Sequence, residues 1–225
     1  MILGVAQVVV NVESLPDAER VLQSAGYVRS FAEDALPNHP AKAPFQATVR
    51  DRLALAHFAA PGAAPAIELT QYAGAPPRGE AAFRLVASAA LPGIADEVGS
   101  DPPSVPVAVR VPGRSDAFWQ AIGFVDDGFA LSFPALMPSW RLRLERDTGR
   151  ERSNATVDAR GCVLVTMLST DVAGDLRRLE NLVLRSSAAW AETVGGRPLR
   201  AALVEGPAGE LVELLELGMR TQGGR

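Results

Sequence analysis

The chain has 225 residues, a formal net charge of −4 and a hydrophobic content of 48%. That length suits one large domain or two small ones, with roughly 70% of the unfolded surface buried on folding. The acidic balance argues against a nucleic-acid partner held by phosphate neutralisation, and no apolar stretch reaches the roughly 20 residues of a membrane helix. The lone cysteine, Cys162, excludes an intrachain disulfide and sits in an apolar run, as a buried small hydrophobe would. The opening MILGVAQVVVNVES carries neither a basic n-region nor a cleavage site, so a cytoplasmic protein is expected. Of the 22 basic residues only Lys42 is a lysine. The tightest arginine group, Arg141, Arg143, Arg146 and Arg150, is diluted by Glu145, Asp147 and Glu151 and reads as a solvated face.

In chain order, residues 5–28 read as a β-branched strand, a helix of about three turns and a second strand opened by Tyr27. Ser14 precedes Asp17 by three and is placed to cap the helix, Pro16 is tolerated in its first turn, and Gly26 suits a left-handed residue just past its end. The segment 34–48 holds Pro37, Pro40 and Pro44 and reads as a loop, with a lid over a site as the alternative. Strands are expected at 52–60 and 66–72, and another at 83–89. Loops are expected at 74–80, 91–104 and 147–160. A second strand–helix start spans 105–125, with Ser115 as cap and Gly123 as terminator, followed by short strands at 124–132 and 140–146. A third starts at Gly161: CVLVTML is the strand, Ser169 or Thr170 the cap, and Val172, Leu176, Leu179 and Val183 form one apolar stripe. Strands at 189–194, 199–204 and 210–217 complete it. The repetition divides the chain into units at 1–76, 80–150 (shortened) and 160–218.

A strand, a helix and further strands, repeated, together with IELTQY at 67–72, FWQAIGF at 118–124 and EGPAGELVELLEL at 205–217, resemble the vicinal oxygen chelate superfamily of glyoxalases, bleomycin-resistance proteins and dioxygenases. The resemblance implies an α+β fold of βαβββ modules whose curled mixed sheets form a cup-shaped cleft. It further implies metal ligands from the first and last strands of the modules. Gln7 stands where the family places a histidine or glutamine ligand, and Glu68 and Glu213 match the ligand glutamates. By strand alternation, Gln7, Val9 and Asn11 face the cup, and so do Glu68, Thr70 and Tyr72. The positions equivalent to Gln7 in the later units are Pro106 and Val163, which bind no metal. His57 reaches the cup by parity, either as a fourth ligand or as a partly buried strand histidine.

Two functional classes follow. In the first, Gln7, Glu68, Glu213 and His57 hold a divalent ion (zinc, nickel, manganese or iron) that polarises an oxygen of a small organic molecule. Glu68 and Glu213 then serve a lyase or isomerase as catalytic carboxylates. A ring-cleaving dioxygenase fits less well, since its iron needs two histidines and the second, His39, lies in the Pro-rich loop. In the second class the cup is metal-free and sequesters a drug-like or natural-product ligand, with Trp119, Phe129, Trp140 or Trp190 stacking on it. Members of the superfamily close their cup within one chain or across a homodimer.

Overall fold

The computed structural model describes residues 1–61, 64–74, 80–87, 90–98, 107–112, 115–126, 131–132, 142–147 and 151–218. In chain order the first part runs β1 (Ile2–Asn11), α1 (Leu15–Ser24), β2 (Val28–Pro37), a 3-10 helix (Pro40–Phe45), β3 (Arg52–Ala59) and β4 (Ala66–Tyr72). The middle holds β5 (Arg84–Ala87), β6 (Glu97–Val98), β7 (Val107–Pro112), α2 (Asp116–Ile122), β8 (Val125–Asp126), β9 (Leu131–Ser132) and β10 (Arg143–Asp147). The last part is β11 (Gly161–Ser169), α3 (Val172–Leu179), a 3-10 turn (Glu180–Leu182), β12 (Arg185–Ser186), β13 (Trp190–Val194), β14 (Arg197–Glu205) and β15 (Leu211–Leu217).

The strands form two sheets. The larger has the order β12-β14-β15-β11-β1-β4-β3-β2, with β13 also paired to β14. Its centre is the antiparallel seam of β1 and β11. Each seam strand pairs in parallel with the last strand of its own part, β1 with β4 and β11 with β15. The first and last thirds of the chain therefore make one sheet. The smaller sheet, β6-β5-β7-β10-β9-β8, repeats that pattern: β5 and β7 pair antiparallel, while β6 and β10 run parallel to β5 and β7. The larger sheet curls until its edges nearly meet. The Gly195 amide, in the β13–β14 turn, donates to Glu33 on β2 at 2.7 Å, and Phe31 on β2 packs near Val194.

Local chemistry explains most element ends. Ser14 Oγ accepts from the Asp17 amide, and Gly26 and Gly123 follow their helices with φ of 86° and 125°, where any Cβ would be strained. Two expected caps differ. The Ser115 hydroxyl makes no cap bond and serves the buried Glu210 carboxylate instead, tying α2 to the β14–β15 turn. The third helix is capped by Asp171, which accepts from the Gly174 amide at 2.9 Å, because Ser169 is already spent on Asp175 at 2.7 Å. Val172 and Leu179 are buried as expected, but the α-helix stops at Leu179 and Val183 lies beyond it. The pairing of β6 with β5 falls in a segment expected to be loop. One apolar cluster spans both sheets, with Trp119 at its middle sheet end packed on Phe83, Phe118 and Phe124.

Candidate functional site

The concave face of the larger sheet encloses a cavity of about 430 Å³. Alternation along β4 aims Glu68, Thr70 and Tyr72 into it, and β15 contributes Glu213, Leu215 and Leu217. From β1 come Gln7, Val9 and also Ala6. Ala6 joins them because β1 carries register shifts, one of them between Val5 and Gln7, that break strict alternation. Asn11 leaves the cavity: its Nδ2 donates to the carbonyls of Asp158 and Ala159, both at 2.9 Å. His57 on β3 lies opposite Glu68 across the β3–β4 ladder and lines the cavity. Gln7, Glu68, Glu213 and His57 thus share one cavity.

The equivalence of Val163 with Gln7 does not hold. Val163 is buried away from the cavity, while Leu164 and Leu168 line it and Thr166 faces Gln7 across the seam. Thr166 Oγ1 donates to Glu213 Oε2 at 3.1 Å, as Gln7 Nε2 donates to Glu68 Oε2 at 2.8 Å. Each glutamate therefore takes one neutral donor from its neighbouring seam strand. The bulges in β1 shift parity by one relative to β11, which a residue count cannot reveal.

The segment expected to be loop or lid supplies a residue that sequence reasoning left out of the site. Lys42, on the 3-10 helix Pro40–Phe45, places its Nζ 3.8 Å from Glu213 Oε1 and 5.5 Å from the Trp190 ring centre. No hydrogen-bonded acceptor for Nζ is found among the described residues. The surrounding carboxylates Glu213, Glu192 and Glu68 outweigh burial and hold the ammonium well above its ordinary pKa. The one sequence signal was that a chain with this many arginines keeps a single lysine, in a Pro-rich segment.

Burial pushes Glu68 up to about 7, with Glu213 adding to the rise and Lys42 and Gln7 opposing it. Its side chain keeps some exposure because it faces the cavity, while its carboxyl is enclosed by protein. Glu213 is also raised by burial, against the pull of Lys42. Burial and Arg197 hold His57 low, hence neutral; its ring stacks on Phe31 at 5.1 Å, and among the described residues its buried Nδ1 has no hydrogen-bond partner. Tyr72, four residues along β4 from Glu68 on the same face, is pushed to about 12 by burial. Of the aromatics expected to stack on a ligand, Trp119 is in the core and Trp190 packs under His39; Phe129 and Trp140 lie outside the described residues. His39 caps the 3-10 helix through the Ala41 amide and does not line the cavity.

A divalent ion fits this donor set poorly. Among the described residues no three His, Cys, Asp or Glu side chains converge where an ion could sit. The Gln7 amide turns its nitrogen, not its oxygen, to Glu68. A protonated ammonium already stands beside Glu213, and a second cation there would be repelled. Gln7 is thus engaged through its amide nitrogen and Glu213 by Thr166 and Lys42, while His57 Nδ1 has no hydrogen-bond partner among the described residues.

No family model matches the chain, and no curated protein matches it. Among solved structures it is similar to glyoxalase I from Zea mays, at 14% identity over 95% of this chain and 92% of that one, with a TM-score of 0.54. Two point variants of the same maize enzyme align at 13% and 14% identity, each with a TM-score of 0.55. At that identity the likeness is one of fold, and it covers nearly the whole of both chains. With its curled sheet assembled from the first and last thirds of the chain around a charged cavity, this protein shares the fold of those glyoxalase structures.

Proposed function

We propose that the protein binds a small organic molecule in the cup without a metal ion. The observation that carries this reading is the Lys42 ammonium beside Glu213, which balances the cup's negative charge from within the chain. The walls support it. Val9, Leu36, Leu53, Leu55, Leu164 and Leu215 present apolar surface around a few convergent polar groups, the composition of a small-molecule pocket. The test is a small-molecule panel screened by saturation-transfer NMR and calorimetry. Binders should lose affinity by about tenfold or more on Leu55→Trp, which fills the cavity, with the circular-dichroism spectrum unchanged. A panel whose every hit binds the filled variant equally well would sink the reading.

A second reading, a lyase or isomerase that moves a proton on the bound molecule, is favoured by one observation. Glu68 sits in the cavity wall with its pKa raised to about 7, where a carboxyl both gives and takes a proton at neutral pH. Glu213, paired with Lys42, would then hold the ammonium in place. Under this reading Glu68→Gln keeps ligand affinity within a few fold and abolishes exchange of the ligand's acidic C–H with deuterated water. Unchanged exchange would remove Glu68 from the chemistry.

A further inference from the structure

We propose that Lys42 is the resident cation of the cup, occupying the place beside Glu213 that a divalent ion would need, and that its ammonium receives the oxygen of a neutral carbonyl compound. The inference rests on the reading of the cup as a small-molecule site.

Three features argue that the position is built. First, the strap that carries Lys42 is fastened along its length. The Asn38 amide donates to the Asp51 carbonyl and its Nδ2 to the Arg50 carbonyl, both at 2.8 Å. Phe45 is 1% exposed and its carbonyl accepts from the Val157 amide at 2.9 Å. The amides of Ala47 and Thr48 donate to the fully buried Asp158 carboxylate at 2.8 and 3.0 Å. Second, Pro40 and Pro44 restrict the backbone on either side of Lys42. Third, the Lys42 side chain lies over Trp190, itself stacked on His39 at 5.3 Å. A long, flexible side chain is thereby delivered to one point beside Glu213.

The electrostatics then select the ligand. Nζ has three protons to donate, and among the described residues none meets an acceptor within hydrogen-bonding distance. An ammonium so placed gains most from an incoming oxygen. That oxygen belongs to a neutral group, because the lining sets the three carboxyls of Glu213, Glu192 and Glu68 against the two cations Lys42 and Arg197 and leaves no surplus positive charge for an anion. The carbonyl oxygen would accept from Nζ, while the rest of the molecule rests on the leucines and on the stacked Phe31 and His57 rings.

Because Lys42 is the only lysine, protein grown with [ε-13C]lysine gives a single lysine signal from the centre of the cup. Cobalt(II) in excess at neutral pH should leave that signal in place in the native chain. Lys42→Met, which keeps the length and removes the charge, should gain cobalt affinity by about tenfold or more by relieving the repulsion. Adding Glu213→Gln should abolish the gain, and Lys42→Arg should refuse cobalt as the native chain does. Acetophenone should shift the lysine signal saturably and bind the native chain several-fold tighter than ethylbenzene, which matches its shape without the oxygen; Lys42→Met should erase that preference. Uptake of one cobalt ion by the native chain with displacement of the lysine signal overturns the resident cation, as does a folded Lys42→Met variant that gains no cobalt. Equal binding of acetophenone and ethylbenzene to the native chain overturns the carbonyl assignment. The native arms decide even if Lys42→Met fails to fold. The cobalt arms need no organic ligand, so their failure is distinct from failure of the small-molecule reading.

Discussion

Glu68 carries the clearest consequence at the scale of one residue. Its carboxyl ordinarily titrates at 4.5 and here near 7, chiefly because burial disfavours the charged form. A carboxyl raised on folding stabilises the folded state below its unfolded pKa, and that contribution is lost as pH rises through the folded one. Stability should therefore fall between about pH 4.5 and 7, by up to about 3 kcal/mol from this group. Urea titrations across that window should show a flatter slope for Glu68→Gln than for the native chain; identical slopes would mean that Glu68 is ionised throughout. Glu68 was legible in the sequence because β4 is short, regular and matches a known strand, so parity alone aims Glu68, Thr70 and Tyr72 the same way. Lys42 was not legible in that way. Its role depends on a 3-10 turn crossing the cup, and proline content announces an irregular segment without saying what it covers.

Among the elements, the strap between β2 and β3 decides whether the cup has its cation. Its strongest tether is distant in sequence: the Asp158 carboxylate holds the amides of Ala47 and Thr48. Asp158→Ala should cost about 2–3 kcal/mol by leaving two amides without their charged acceptor. Endoproteinase Lys-C offers a direct readout, since the chain has one lysine. The native protein should resist cleavage after Lys42, and Asp158→Ala should yield two fragments at least about tenfold faster through local opening. Equal cleavage rates would show that the strap is held by other contacts. Helix positions were readable from periodicity and capping chemistry, but two of the caps were not. A serine near a helix start has several acceptors and donors in reach: Ser115 was claimed by the buried carboxyl of Glu210, which only the tertiary fold brings close, and Ser169 by Asp175 in the first turn of α3.

At the scale of the molecule, the two sheets share one apolar cluster, joined where the Phe83 amide donates to the Cys162 carbonyl at 3.0 Å and where Trp119 packs on Phe83. A common core predicts a single cooperative unfolding transition. Near-ultraviolet signals and far-ultraviolet backbone signals should share one midpoint in urea; two separated midpoints would mean that the sheets fold independently. The repeated strand–helix starts were visible in the sequence as similar strings. Which of them pair was not, because pairing is set by how apolar faces meet across long separations, and no local pattern records it.

The seam between β1 and β11 also sets an order of events during synthesis. β1 ends at Asn11, yet its antiparallel partner begins at Gly161. At ordinary elongation rates the ribosome needs on the order of ten seconds to deliver that partner. For that interval a strand rich in valine has one edge covered by β4 and the other bare, and a bare apolar edge is the kind of surface that recruits a neighbouring chain. The nascent protein therefore has a window of exposure that closes only when its last third emerges. Its yield in a cell should depend on chaperone capacity and on translation speed through the middle third more than on the stability of the finished fold.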